Sequence, residues 1–299
     1  MNYMAQSRSF NTVRAYRSDW HHFEQWCENH GTSALPASAH TLCLYITDLV
    51  EQGMHTSTIR RRMTGITSAH RAAQLPTPVS SVEVRAVWSG IRRTHGIQQR
   101  GKKPILTDDL RRMVRHLPAD LKGLRDHALL LVGFAGAFRR SELVAIKMED
   151  LEFTRSGLVI QIRKSKTDQD GSGRKIGIAY GSDPLTCPVR VLQDWIDAAC
   201  IESGPVFRRL DRWGHVDMLG IGDRMVAHIV KAAVAGIGLP PEEYAGHSLR
   251  SGFATAAAQN GAGERAIMNQ TGHRSEMMVR RYIRDGNLFN DNASTKLGL

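Results

Sequence analysis

The feature that most constrains the fold is an apolar pattern that runs through the first third of the chain at helical spacing. In "NTVRAYRSDWHHFEQWCENHG", Val13, Tyr16, Trp20, Phe23 and Cys27 recur at three- and four-residue steps. They share one face of a helix, which Gly31 ends. "SAHTLCLYITDLVEQG" predicts a second helix, opened by a Ser38 cap and closed at Gly53. "TSTIRRRMTGITSAHRAAQ" sets Ile59, Met63 and Ile66 on one face, and "SVEVRAVWSGIRRTHG" repeats the pattern with Val84, Val87, Trp88 and Ile91. Short amphipathic helices bury their apolar stripes only against one another, so residues 1–95 predict a small all-helical bundle.

"GIQQRGKKPILTDD" is polar, basic and contains glycine, and it predicts an interdomain linker over 96–106, with Thr107 capping the next helix. Helices are expected at 107–117, 121–135 and 139–148. Strands follow in "LEFT", "GLVIQIR" (157–163) and "RKIGIA" (174–179), where alternation of Leu158, Ile160 and Ile162 implies a half-buried sheet. "KSKTDQDGSG" connects the last two strands, and from 186 onward the pattern is helical again. The expected class is mainly α: a helical bundle, then a mostly helical domain over 107–299 with a small antiparallel β-sheet.

Lysine and arginine outnumber acids 40 to 29, for a net charge of +11, and such an excess suggests an anionic partner, nucleic acid foremost. In the bundle the strong bases are arginine alone, clustered at Arg60, Arg61, Arg62 and Arg71 on the third helix and at Arg92 and Arg93 on the fourth. Forked guanidinium groups suit phosphate and guanine better than lysine does. With Arg100, Lys102 and Lys103 of the linker they form the expected DNA-binding surface. The longest apolar stretch, "HALLLVGFAGAF", is too short to span a bilayer, and the N-terminus has no signal-peptide pattern. Cys27, Cys43, Cys187 and Cys200 lack the spacing of a zinc site or a disulfide framework. A cytoplasmic protein with reduced thiols is expected, without membrane, metal or nucleotide cofactor.

One set of polar residues stands apart. "TGHRSEMMVRRYIRDG" places Tyr282 among arginines, nine residues after His273. "HSLRSGFATAA" sets His247 and Arg250 one turn apart on a helix start. "FRRSELVAI" supplies Arg139 and Glu142, and "RKSKTD" places Lys166 between two strands. Each residue alone has an ordinary structural explanation; their joint order carries the signal. Together they suit phosphoryl transfer through a covalent intermediate. A phenol needs a base to become a nucleophile, two arginines can clamp the non-bridging oxygens, and a lysine can protonate a departing alkoxide. No acid-rich cluster suited to Mg²⁺ accompanies them.

The order Arg…Lys…His-x-x-Arg…Gly-His…Tyr resembles that of the tyrosine recombinase (phage integrase) family, over nearly the whole chain and with the layout of its two-domain, Cre-like members. The resemblance implies a SAM-like core-binding domain at the N-terminus and a catalytic domain with a C-terminal tail. It implies Tyr282 as nucleophile of a 3′-phosphotyrosyl link, Arg139 and Arg250 as phosphate ligands, and His247 as general base or acid. Lys166 would protonate the 5′-oxygen, His273 would donate to the phosphate, and Glu142 would support the site. It further implies double-stranded DNA with paired inverted-repeat sites, a synaptic tetramer, strand exchange through a Holliday junction and a bacterial, phage or plasmid origin. The bond energy is kept in the phosphotyrosine, so no nucleotide is needed. Ala137 stands where the family often has a glycine, and Arg140 follows Arg139 directly, so that assignment rests on the spacing to Ser141-Glu142-Leu143. Lys164, Lys166 and Lys175 all flank the loop, and the "TKT"-like context favours Lys166. A type IB topoisomerase and a catalytically silent DNA-binding homologue are the rivals. The tail "NLFNDNASTKLGL", which resembles a segment recombinases donate to a neighbouring subunit, argues against the first; the filled set of matched positions argues against the second.

Overall fold

Helix α1 (Phe10–Asn29) packs its Phe23, Trp26 and Cys27 against Leu42, Tyr45, Ile46 and Leu49 of α2 (Ala39–Glu51), against Ile59, Met63 and Ile66 of α3 (Thr56–Ala72), and against Val84 and Ile91 of α4 (Val82–His95). The computed structural model describes residues 10–96, 101–163, 173–273 and 275–286, together with Leu297. Ser38 caps α2 as expected, its hydroxyl accepting from the Thr41 amide at 2.9 Å, and Ser81 caps α4 in the same way. The stripe on α1 differs from the expected one at its start. Val13 is 41% exposed, and Asp19 takes a buried place instead. Gly65 lets α3 approach α1 closely at Tyr16 and Asp19, and Arg61 meets the Asp19 carboxylate at 3.0 Å.

Packing divides the chain into two compact units, 1–100 and 101–299. In the second, the backbone of residues 101–106 docks on its own domain. The Lys103 and Ile105 amides donate to the Glu243 and Ser248 carbonyls at 2.8 and 3.0 Å, and Ile105 is fully buried. Gly252 permits this approach, because a Cβ there would lie 1.9 Å from the Ile105 carbonyl oxygen. Helix α5 (Thr107–Arg115) follows; Thr107 is its first residue and Leu106 occupies the cap position without a side-chain bond, so the expected threonine cap is corrected.

The apolar stretch "HALLLVGFAGAF" is the buried end of α6 (Leu121–Ala135), with residues 127–133 all out of solvent. Around it lie α5, α8 (Pro188–Ala198) and α9 (Asp223–Gly236), sharing one core that includes Leu129, Trp195, Phe207 and Val230. The helix expected over 139–148 is shorter: α7 spans Arg140–Val144. Beyond it the backbone turns outward to pair, with Val206 N donating to Ile146 O and Met148 N to Gly204 O. Strands β1 (Leu151–Thr154), β2 (Gly157–Ile162) and β3 (Arg174–Ala179) form an antiparallel sheet in that order, with Ile160 opposite Ile176 and Ile162 opposite Arg174. Leu158, Ile160 and Ile162 face the core, as their alternation requires.

A second hairpin, β4 (Arg208–Leu210) with β5 (Val216–Gly220), was not expected in a segment read as helical. Its sequence has little apolar alternation, and Trp213 and Met218 are each 68% exposed. Turn chemistry decides it: the Asp211 carboxylate accepts from the Trp213 and His215 amides at 2.8 and 2.9 Å. The chain then runs through α10 (Ser248–Gln259), α11 (Glu264–Thr271) and α12 (Glu276–Gly286). No helix among the described residues is long and apolar enough to cross a membrane.

Candidate active site

A small apolar cluster explains how a tyrosine set among arginines is fixed. Val279 of α12 is buried against Ala254 and Ala258 of α10 and Ile267 of α11, and Tyr282 and Ile283 pack partly buried on the same seam. The three- and four-residue steps from Val279 put all three on one face of α12. That seam brings the Tyr282 hydroxyl to 3.1 Å from His247 Nε2, at the N-cap of α10. The His273 ring stands 6.0 Å from the Tyr282 ring, centre to centre. Gly272, in the left-handed conformation, ends α11 and turns the chain into His273, whose Nδ1 lies 2.8 Å from the Thr271 hydroxyl. That hydroxyl gives its proton to the Ile267 carbonyl at 2.7 Å, so it accepts from His273 Nδ1–H and fixes the ring.

Arg250 is 1% exposed. Its Nη1 donates to the Ala137 carbonyl at 2.7 Å, while Nη2 is buried and finds no acceptor among the described residues. Ala137 adopts φ +48°, the left-handed region that favours glycine, and the turn aims the Ala137 carbonyl at Arg250. Arg139 occupies the N-cap of α7, and Glu142, also buried, grips it twice. Glu142 Oε1 accepts from Arg139 Nη1 at 2.6 Å and Oε2 from the Arg139 amide at 3.0 Å.

These cations share one electrostatic neighbourhood. Burial, with Arg250, Arg139 and Arg140 beside it, holds His247 below the ordinary histidine range. His273 is pushed down to about 4 by burial, then by Arg250, Arg139, His247 and Arg174. Both imidazoles are therefore neutral at pH 7. Burial lowers Arg250 to about 10, which leaves it cationic at neutral pH. The site thus concentrates positive charge, a buried donor without an acceptor among the described residues, and a phenol beside a neutral imidazole. Among the described residues no three His, Cys, Asp or Glu side chains come together as a metal-ligand set.

Six of the seven expected catalytic residues, Arg139, Glu142, His247, Arg250, His273 and Tyr282, fall in this one place. The seventh, Lys166, lies outside the described residues, as do Lys164 and Arg100. Lys175 is exposed on the face of β3 opposite to Arg174 and the core-facing Ile176, and Arg174 is the strand residue that reaches Glu142.

The expected DNA-binding residues behave differently from one another. Arg60 and Arg71 are exposed, and Arg60 lines an open groove with Trp88 and Arg92. Arg61 is exposed but paired with Asp19. Arg62 is turned into the bundle at 12% exposure, within 3.9 Å of Asp19 and donating to the Tyr45 hydroxyl at 3.1 Å. Burial raises the Asp19 carboxyl above its usual range, and the two arginines oppose that shift. Lys102 Nζ donates to the Glu242 carbonyl, and Lys103 pairs with the Glu243 carboxylate, both on the surface. Sequence reasoning missed Arg174 and Thr271. A basic residue at the mouth of the β2–β3 connection was the signal for the first; nothing marked the second.

A model of the phage integrase family matches residues 103–287. The chain belongs to that family. A model of the phage integrase N-terminal SAM-like domain matches residues 2–74. A curated relative from Selenomonas ruminantium, an integrase/recombinase xerD homolog, is 46% identical over 98% of this chain and 87% of its own length. The recombinase cre of Escherichia phage P1 is 24% identical over 94% of this chain and 85% of its own. Among solved structures, a Tn1549 transposon integrase in complex with transposon right end DNA aligns over 98% of this chain and 95% of its own, at 15% identity and a TM-score of 0.67. A XerH site-specific recombinase bound to a palindromic difH substrate covers 87% of this chain and 71% of its own, at 15% identity and a TM-score of 0.65. Both share the mainly α fold with its small antiparallel sheet. Membership of this tyrosine recombinase family implies DNA strand-transferase chemistry.

Proposed function

We propose that this chain is a site-specific DNA recombinase that cuts and rejoins double-stranded DNA through a covalent bond to Tyr282. The observation that carries the reading is the 3.1 Å approach of the Tyr282 hydroxyl to His247 Nε2, near Arg250, whose buried Nη2 has no acceptor among the described residues. Burial and neighbouring cations keep His247 unprotonated, so its Nε2 accepts the phenolic proton as the oxygen attacks phosphorus. Charge then builds on the non-bridging oxygens. The Arg250 fork and Arg139, oriented by Glu142, meet it with charge-assisted hydrogen bonds.

His273 donates through Nδ1 to Thr271, so it becomes a donor toward phosphate from Nε2 when it takes up a second proton, which the bound anion favours. The bond from phosphorus to the 5′-oxygen breaks, and Lys166 supplies that oxygen's proton. One phosphodiester is lost and one 3′-phosphotyrosyl diester is formed, so a 5′-hydroxyl from another strand reverses the step without an energy source. The groove lined by Arg60, Trp88 and Arg92 gives the N-terminal bundle a basic surface for the duplex backbone. Paired inverted sites and a tetramer on DNA complete the reading.

The test uses a nicked duplex selected from a random-sequence pool by binding to the protein. Cleavage a few nucleotides to the 5′ side of the nick, in the nicked strand, releases a short 5′-hydroxyl fragment, traps the covalent complex and identifies the end bound to protein. A 3′-phosphotyrosyl adduct, with recombinant product from two intact sites, is expected. Relaxation of supercoiled DNA without recombinants, or no adduct, contradicts the proposal.

A further inference from the structure

Arg174 opens β3, where the connection from β2 re-enters the sheet. Its side chain crosses to two other elements, α7 and the end of α11. Nη2 lies 3.3 Å from Glu142 Oε2, the oxygen that also accepts the Arg139 amide. Nη1 donates to the Gln270 carbonyl at 2.9 Å and meets that of Asn269 at 3.4 Å, capping the carbonyl end of α11 with a cation. The guanidinium packs against Gly272, where a Cβ would come within 2.8 Å of Cζ. Gln270 reinforces the junction by donating to the Ala135 and Gly177 carbonyls.

We propose that Arg174 is a positioning residue for strand cleavage. It locks the Glu142 carboxylate in the orientation that aims Arg139, and its bonds to the carbonyl end of α11 brace it for that task. A single planar fork thereby ties the edge of the β2–β3 connection, the phosphate clamp and the end of α11 into one rigid unit. Glu142 faces two guanidinium groups, so its carboxylate stays between them. Removing Arg174 leaves Oε2 held by the Arg139 amide alone, so the carboxylate can turn out of the orientation that aims the Arg139 fork. The inference rests on the reading of Arg139 as a phosphate ligand.

The experiment measures single-turnover cleavage of the selected nicked duplex at saturating protein, for Arg174→Gln, Arg139→Ala and the double variant in the full chain. Arg174→Gln is expected to bind the duplex within about twofold of wild type and to cleave about ten- to a hundredfold more slowly, as misplacement of a clamping group does. The double variant is expected to cleave no more slowly than Arg139→Ala, because Arg174 acts through Arg139; a structural defect would multiply with it instead. Arg174→Lys, which retains the charge but not the fork, serves if the glutamine variant does not fold, with the same two expectations. Cleavage by the Arg174 variant at the wild-type rate, or multiplicative losses in the double variant, overturns the proposal. If Arg139→Ala itself cleaves normally, the reading of the clamp falls first and takes the proposal with it.

Discussion

Replacing Arg250 by methionine separates the folding role of this residue from the catalytic one proposed for it. Methionine fills much of the volume of the side chain and carries no charge. Folding loses the Arg250 Nη1 bond to the Ala137 carbonyl, a charged hydrogen bond worth about 1.5–3 kcal/mol. Folding also sheds a buried charged donor without an acceptor, a defect that costs about 1–3 kcal/mol or more. The two terms offset, so stability is expected to stay within about 1 kcal/mol of wild type, since buried ion groups are often replaced by apolar ones at no loss. Catalysis has no such compensation. Loss of one preorganised donor to the transition state slows cleavage about 10²–10³-fold, or about 3–4 kcal/mol. Urea unfolding gives the first quantity and single-turnover cleavage of the selected nicked duplex the second. A variant destabilised by about 3 kcal/mol whose cleavage stays within a few-fold of wild type refutes the reasoning. It would mean that Arg250 is there for the fold and not for phosphate.

Three further outcomes are expected. The His247 base must be unprotonated, and its surroundings lower its affinity for protons, so the acid limb of kcat/KM for cleavage is expected to inflect below the ordinary histidine value of 6.5; an inflection at or above that value contradicts the assignment. Lys166→Ala is expected to cleave a normal phosphodiester slowly and a bridging 5′-sulfur substrate at nearly the wild-type rate, since a thiolate leaves without protonation; rescue with Lys164 or Lys175 variants in its place moves the role. Arg60→Glu is expected to weaken duplex binding and steepen nothing in the unfolding curve, whereas Arg62→Ala removes the weaker of the two arginines facing buried Asp19 and the donor to the Tyr45 hydroxyl, and destabilises the bundle by about 1–2 kcal/mol. Binding titrations in varied salt and thermal unfolding distinguish the two, and an Arg62→Ala protein of wild-type stability refutes the structural role given to that residue.

The helices were legible because their apolar residues repeat with a strong period. Residues 121–135, whose buried run is nearly continuous, coincide with α6 in full. The expected strands at 151–154 and 174–179 coincide with β1 and β3, and alternation of Leu158, Ile160 and Ile162 marked β2 between them. The β4–β5 hairpin was not, because its order comes from Asp211 hydrogen bonds within the turn and not from a buried face. The end of α7 was hidden for a related reason: the residues that stop it, Ile146 and Met148, do so by pairing with Val206 and Gly204, far away in sequence. In the site, the expected catalytic residues that the fold brings together were legible from their order along the chain. Their supports were not. Arg174 acts through carbonyls and a carboxylate supplied by other elements, Thr271 through the ring of His273 two residues on, and the Ala137 carbonyl is a backbone group that any residue provides. Arginine clustering on α3 suggested one surface, yet a single helix turn sends Arg60 outward and Arg62 toward Asp19.

The central claim is that the oxygen of Tyr282 becomes bonded to DNA. The direct measurement is a denaturing gel of wild-type protein and Tyr282→Phe after incubation with the selected nicked duplex, with mass mapping of the adduct. The wild-type protein is expected to give a covalent complex that maps to the α12 peptide carrying Tyr282. The phenylalanine variant, which keeps the ring on its apolar seam, is expected to bind the duplex normally and give no adduct. A covalent complex from Tyr282→Phe, or a wild-type adduct on any other residue, contradicts the account.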